Sequence, residues 1–359
     1  MPDKNNPVNV ALAAYGMSGS VFHAPLISAH PGFNLKKILV RSGRQDTKTK
    51  YPGTAVVTTF QDVLQDDTIE LVVINTPEHT HYALGKEALL AGKNVIVEKA
   101  FTVTSSEAQE LIGLAREKQL MLSVFQNARW HGDFITIQKI IEQNILGSLV
   151  NFEAHYDRYR NFVQAGTWKE ESKPGTGSLY NLGPHLIDQV LVLFGPPDSL
   201  FADLQIQRRG GKVMDYFELI LYYKELKIVL QSSYLVREPG PRYILHGTEG
   251  SFIKHGADPQ EAFLKAGGSP LEDCYGLEPE SLWGKLNTQV GGLHVKGLVE
   301  TERGSYMGYY DNIYEVIREK GKLVVKPEQA WLTMAIIEAA IKSNEDKKVI
   351  SFDKQHLQP

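Results

Sequence analysis

Val8-Asn9-Val10-Ala11-Leu12-Ala13 runs directly into Ala14-Tyr15-Gly16-Met17-Ser18-Gly19. A short apolar, β-rich run followed at once by a glycine-bearing turn and a helical stretch is the entry of a βαβ unit, where the turn backbone can approach a pyrophosphate. Gly16 stands where that approach is made, and Gly19 where helix and strand pack closely. Free N–H groups at the helix start would attract the phosphate oxygens. Ala14 occupies the place of the pattern's first glycine, and Tyr15 and Ser18 complete the loop as candidate cofactor contacts.

Reading outward, strands are expected at 8–13, 35–40, 55–57, 71–75, 94–98 and 121–125, with helices between them. One helix covers 78–91 and closes on Gly92; another covers 105–118 and opens with a Ser105 cap and the acidic Glu107. Fully apolar strands alternating with helices predict a doubly wound parallel sheet covered on both faces, an α/β Rossmann domain over residues 1–127. Beyond Asn127 the pattern changes. A helix at 133–143 is followed by period-two runs at 148–158, 200–208, 215–223, 227–235 and 242–246, with breaks such as Arg209-Gly210-Gly211-Lys212. This predicts an α+β domain, 128–359, built on a large, mostly antiparallel open sheet. A homodimer or homotetramer through the open face is expected. Residues 257–301, rich in Gly, Pro and charge, read as a long loop or insertion, and the helix at about 327–343 is expected to pack back on the first domain.

A chain of 359 residues with 42% hydrophobic content has ample core for two domains. A net charge of −4 and a pI near 6.3 argue against a nucleic-acid or membrane surface as partner and favour a small molecule. The longest apolar runs are strand-sized, well short of the roughly 20 residues a bilayer needs. Met1-Pro2-Asp3-Lys4-Asn5-Asn6-Pro7 has no apolar signal core and Cys274 is the single cysteine, so a reducing cytoplasm is expected. The eleven histidines show no HExxH pair, and no metal site is expected.

Cofactor type can be read at the end of the second strand, Ile38-Leu39-Val40-Arg41-Ser42-Gly43-Arg44. An NAD site normally puts a carboxylate there for the ribose hydroxyls. None is present, whereas Arg41, Ser42 and Arg44 suit a 2′-phosphate, so NADP is preferred and NAD remains possible. The fourth strand ends in Asn75-Thr76-Pro77-Glu78-His79, and strand ends at a switch point make ligand walls; Thr76, Pro77 and His79 are cofactor candidates. Thr76-Pro77 is equally sufficient as a helix start. The chemistry rests on Lys99 and His185. An ammonium and an imidazole at one face of a nicotinamide can polarise an oxygen and move its proton.

The modified glycine loop followed by Val21-Phe22-His23-Ala24-Pro25-Leu26-Ile27, the Asn75-Thr76-Pro77 run with His79, Gly92-Lys93-Asn94-Val95-Ile96-Val97-Glu98-Lys99, and the segment 177–188 together resemble the Gfo/Idh/MocA oxidoreductases. The Phe-His-Ala-Pro run and His155-Tyr156-Asp157-Arg158-Tyr159-Arg160 are most similar to the NADP-dependent scyllo-inositol dehydrogenase branch. The resemblance implies hydride transfer between a nicotinamide cofactor and a secondary alcohol or ketone of a sugar or cyclic polyol such as an inositol. It puts Lys99 beside nicotinamide and substrate and Glu98 on the cofactor side, and it matches Asn181 and His185 to a family aspartate and histidine.

Two positions depart from the family. Ala100 stands in place of proline, and Asn181 in place of the aspartate; an amide can orient a hydroxyl or a ring but cannot take up a proton. Neutral His185 would then accept the alcohol proton, with Lys99 stabilising charge on oxygen. Asp188 shares the helix face of His185 or simply solvates a helix surface. Arg129, Trp130, Tyr156, Arg158 and Tyr159 could face the cleft, with Asn127 and Trp168 the preferred contacts. The same fold also serves non-catalytic dinucleotide-dependent sugar sensors and NAD-dependent glycosidases. Lys99 and His185 disfavour the first, and Arg41 with Arg44 the second.

Overall fold

The structure is a computed structural model that describes residues 6–40 and 46–353. Six strands, β1 (Val8–Leu12), β2 (Phe33–Leu39), β3 (Ala55–Val57), β4 (Leu71–Ile74), β5 (Asn94–Val97) and β6 (Leu122–Val124), make a sheet of order β3-β2-β1-β4-β5-β6. Every pairing is parallel. All of β4 and the last three residues of β5 are buried, as a sheet covered on both faces requires. Strand order reverses between β1 and β4, and a crevice opens beyond their carboxyl ends.

The helix Ser105–Lys118 has the expected bounds but a different cap. Thr104 accepts from the Glu107 N–H at 3.2 Å, and the Glu107 carboxylate accepts from the Thr104 N–H at 3.2 Å, a reciprocal capping box. Ser105 instead donates its N–H and hydroxyl to Glu338, at 2.7 and 2.6 Å. Glu338 lies on the helix Pro327–Asp346, which therefore packs on the first sheet's outer helix as well as on the second sheet. A second return from the far end of the chain is the helix Met307–Arg318, unforeseen in the sequence. Its Tyr309, Tyr310 and Tyr314 are buried among Phe22, Phe33 and Phe125 of the first domain.

The second sheet holds β7 (Leu149–His155), β8 (Ser199–Gln205), β9 (Tyr216–Tyr222), β10 (Lys227–Ser233), β11 (Tyr243–Gly247), β12 (Gly250–Lys254), β13 (Gly284–Val290), β14 (Leu293–Val299) and β15 (Ile350–Ser351). Their order is β14-β13-β12-β11-β7-β10-β9-β8-β15, antiparallel except for β7 with β10. Alternation explains the sheet's two faces: Phe152, Leu219, Leu230 and Leu245 are fully buried against helices, while Glu153, Ile220, Val229 and Ile244 are half-buried on the open side. The long loop expected at 257–301 is a misreading. That segment holds the helix Gln260–Lys265 and the hairpin β13–β14. The turn Gly291-Gly292, with φ of 57° and 81°, is the left-handed pair a two-residue hairpin needs. Periodicity was hidden because β14 is exposed on both faces, so no buried side imposed an apolar stripe.

One ion pair locks the halves together. The Arg129 guanidinium, in the turn after β6, donates twice to Asp188 of the helix Ser178–Phe194, at 2.7 and 2.6 Å, and once each to Val324 O and Gln329 Oε1, at 3.1 Å. Asp188 is 1% exposed, which overturns the reading of it as a solvated surface residue and removes Arg129 from the cleft. Trp130 likewise packs on Tyr309, ring centroids 5.6 Å apart. Removing one partner strands a buried charge, so Asp188→Ala should cost about 3–5 kcal/mol in urea unfolding. The Arg129→Met, Asp188→Leu double variant should recover most of that loss, and a single-variant cost under about 1 kcal/mol would show the pair to be idle.

Candidate active site

A cavity of about 470 Å³ lies between the carboxyl ends of β1, β4 and β5, the first turns of the helix Ser178–Phe194, and a strap formed by residues 156–177. Its nucleotide side is built on Asn75. That side chain donates to Ala14 O at 2.8 Å and accepts from Ala14 N–H at 3.0 Å, tying the glycine loop to the end of β4. Gly19 sits under the clamp, where a Cβ would fall 2.6 Å from Ala14 O and 2.7 Å from Asn75 Nδ2. Gly16 faces open space in the cavity wall, with no atom within 4 Å of where a Cβ would project, so the fold leaves room for a phosphate to reach the backbone. Ser18 lines the same wall.

Thr76 and Pro77 line the cavity opposite, held by buried His81, whose ring nitrogens lie 2.9 Å from Thr76 O and 2.8 Å from Ala100 O. Asn127 lines the floor and Trp168 the strap side. Three expected cofactor contacts are elsewhere. Tyr15 is buried in the first core, its ring edge-on to Tyr51 at 6.4 Å, and Gly19 is occupied with packing. His79 is exposed outside the cavity, 6.3 Å from the Trp168 ring, because the turn at Glu78–Thr80 points it away from the strand end. Arg41, Ser42 and Arg44 lie outside the described residues.

Glu98 gathers the nucleotide loop to the reactive end. Its carboxylate accepts from the Ser18 hydroxyl, from the Lys99 N–H at 3.0 Å, and from His23 Nε2 at 3.0 Å. The other His23 nitrogen lies 2.6 Å from the Tyr310 hydroxyl, which leaves it as acceptor. Burial would raise the carboxyl, but the hydrogen bonds and charges of His23, Lys99 and Ser18 outweigh it and bring its pKa down to about 2. The Lys99–Ala100 peptide is cis, and Lys99 Nζ donates to Asn181 O at 2.8 Å.

Asn181 and His185 lie one turn apart on the helix Ser178–Phe194, and both line the cavity with Lys99. The Asn181 amide points toward the Tyr234 hydroxyl at 3.5 Å. His185 is half-buried with its ring 5.9 Å from that of Tyr156, and its Nδ1 has no protein partner. Burial, then the charges of Lys99, His131 and Arg242, hold the imidazole pKa well below 6.5. The ring is therefore neutral at pH 7 and able to accept a proton. Amine, amide and imidazole from the two halves of the chain are thus brought to one cavity.

Residues 8–126 match the oxidoreductase-family model of the NAD-binding Rossmann fold, and residues 138–352 that family's C-terminal α/β domain. The chain belongs to the Gfo/Idh/MocA oxidoreductase family. It is 39% identical, over 98% of its length and 97% of the relative's, to the Bacillus subtilis scyllo-inositol 2-dehydrogenase (NADP(+)) IolW. It is also 39% identical to the Escherichia coli oxidoreductase YdgJ, over 96% of this chain and 98% of that one. The solved structure of yvaA from Bacillus subtilis superposes with a TM-score of 0.93 at 39% identity, covering 97% of this chain and 99% of that one. A Bacteroides fragilis family structure gives 0.89 at 44% identity, covering 97% and 100%. The chain is an oxidoreductase with a nicotinamide-dinucleotide fold. Among the described residues no helix is long and apolar enough to cross a membrane, and no group of three acidic, His or Cys side chains could hold a metal ion.

Sequence reasoning passed over Asn75 as a side chain, although an asparagine closing the apolar run Leu71–Ile74 was a visible signal. Tyr234 carried none, since its partner is remote in the chain, and His23 was visible only as part of the Phe-His-Ala-Pro run. Folding lowers the Glu98 pKa from 4.5 to about 2, so the unfolded chain binds the extra proton; the stabilisation is full above pH 4.5 and fades as pH falls toward 2. Urea unfolding of Glu98→Gln against the wild type should show a deficit that shrinks as the pH is lowered through that window. A deficit independent of pH would mean that Glu98 contributes no linked charge.

Proposed function

We propose that this chain is an NADP(H)-dependent dehydrogenase or reductase acting on a secondary alcohol, or its ketone, of a sugar or cyclic polyol of the inositol kind. The observation that carries the reading is the convergence of Lys99, Asn181 and neutral His185 on one cavity beside the glycine loop. The name of the Bacillus subtilis relative supports both the substrate class and the preference for NADP. Gly16, Ser18, Thr76, Pro77, Glu98, Asn127 and Trp168 would hold the dinucleotide. The nicotinamide, when bound, supplies the hydride acceptor or donor.

The protein's share is proton and charge handling. In oxidation, His185 accepts the hydroxyl proton; in reduction, the imidazolium returns it. Lys99, anchored on Asn181 O, aims positive charge at the same oxygen, where it counts most as negative charge develops. The Asn181 amide orients a substrate hydroxyl and takes no proton. Glu98 stays ionised and keeps Ser18 and the Lys99 backbone in register. A cytoplasmic setting fits the lone Cys274.

The open face of the second sheet supports self-association. Register aligns Phe201, Ile220, Val229, Glu153, Ile244 and Ile253 in one row across adjacent strands, and all six are half-buried in the single chain. Five apolar side chains flanking Glu153 and framed by polar neighbours suit a second copy of this chain.

Absorbance at the reduced-nicotinamide band should show turnover of inositols or aldoses with NADP preferred over NAD. His185→Phe should lower kcat by about 10²–10⁴-fold, and Lys99→Met by about 10²–10³-fold. With wild type, oxidation should lose rate only well below pH 6.5, where the imidazole protonates, while reduction gains as pH falls. NADPH binding without turnover across the panel would overturn the enzymatic reading. In sedimentation, wild type should run as a dimer or tetramer and Val229→Glu as a monomer; unchanged assembly would remove the open face as the interface.

A further inference from the structure

Several buried cations of this chain are paired with carboxylates, whereas Arg242 donates to His155 O and Lys93 to Asp66 O. Arg129 is matched to Asp188, Lys254 to Glu278, and Arg208 to both Glu170 and Asp215. The strap side of the cavity differs. Half-buried Arg158 and exposed Arg160, on the segment leaving β7, and exposed Lys169, beside Trp168, line the cavity with no ion pair to a carboxylate among the described residues. With Lys99, Arg208 and Lys265 they make six cations lining one cavity of a protein whose net charge is −4.

Their placement is built. Arg208, its side chain 1% exposed, donates to both oxygens of Glu170 at 2.8 Å and to Phe162 O at 2.7 Å, pinning the strap on each side of its outer bend. Arg158 is fixed by its backbone N–H to Ser233 O at 2.9 Å, and Arg160 by its own to Tyr234 O at 2.7 Å. Lys169 is consequently held on the cavity side, over the Trp168 ring at 5.6 Å. Desolvation, followed by the positive charge of Lys99, lowers its pKa against the opposing pull of Glu78 and Glu98.

A neutral polyol offers hydroxyls that both donate and accept, and a site shaped for it alone needs acceptors. Of the carboxylates lining this cavity, Glu170 is held by Arg208, Glu261 by Lys265 and Glu98 by Ser18 and His23, while one buried oxygen of Glu78 has no hydrogen-bond partner. We propose that Arg158, Arg160 and Lys169 form a subsite for the anionic group of the substrate, so that the preferred sugar or cyclic polyol carries a carboxylate or a phosphate. This rests on the dehydrogenase reading above and narrows its substrate class. In this reading the two guanidinium forks and the ammonium serve the anion, while Lys99 and His185 address the reacting carbon's oxygen.

The test compares matched probes on the NADPH- or NADP-loaded enzyme: glucose with glucose 6-phosphate and glucuronate, and myo-inositol with myo-inositol 1-phosphate, by turnover and by calorimetric titration. At least one anionic member should bind about tenfold or more tightly than its neutral parent, an advantage that shrinks as salt is raised and is lost in the Arg158→Gln, Arg160→Gln double variant. The wild-type salt series reads the subsite even if the double variant fails to fold. Neutral members bound as tightly as the anionic ones, with no salt effect on the difference, would overturn the subsite and leave the dehydrogenase reading standing. Anionic members bound selectively but turned over with neither cofactor would uphold the subsite and overturn the reaction. A double variant that weakens NADPH binding and leaves anion selectivity intact would assign these cations to the cofactor's phosphates and overturn the proposal.

Discussion

The structure depends on the buried bidentate pair between Arg129 and Asp188. Arg129 follows the last strand of the nucleotide-binding sheet, and Asp188 lies less than one turn beyond His185 on the helix that also bears Asn181. Two short parallel N–H···O bonds fix a distance and an orientation, which a single point contact would not. The remaining guanidinium donor reaches Val324 O and Gln329 Oε1, so the C-terminal segment is tied into the same joint. Lys99 and His185 arrive from opposite halves of the chain, and this joint sets the cavity they share.

Electrostatics within the cavity divide by side. Toward the nucleotide loop, one carboxylate, Glu98, is kept ionised by an imidazole, a hydroxyl and a backbone N–H, and so links Ser18 to the lysine that follows it. Toward the second sheet, burial and surrounding positive charge keep His185 neutral. An acceptor for a proton and a fixed positive charge for an oxygen therefore coexist without forming an ion pair with each other. That separation is what proton transfer coupled to hydride transfer asks of a protein. Lys99 is held by the Asn181 backbone carbonyl, a contact that every residue type supplies.

The strands of the first sheet were legible to within one or two residues, because a strand buried on both faces is a continuous apolar run and little else is. The glycine loop, Lys99 and His185 were legible as types at strand and helix positions. The hairpin β13–β14 was not, since β14 is exposed on both faces, and its Gly291-Gly292 turn was submerged in a glycine-rich neighbourhood. Ser105 was a sound cap by residue type. Thr104 took the role because Glu338, 233 residues away, captured the serine.

Local sequence by itself determined the period of each element, the position of the phosphate-approaching glycine and the chemical groups available for proton transfer, since these follow from side-chain type and from spacings of two or 3.6 residues. Tertiary structure alone decided which of those groups meet. Asp188 is a structural anchor, Tyr15 and His79 are turned from the cavity, and Arg158, Arg160 and Lys169 line it with no ion pair to a carboxylate among the described residues. The reason is physical: a charge has no partner until the chain closes over tens to hundreds of residues, and the energy of burying it depends on that partner.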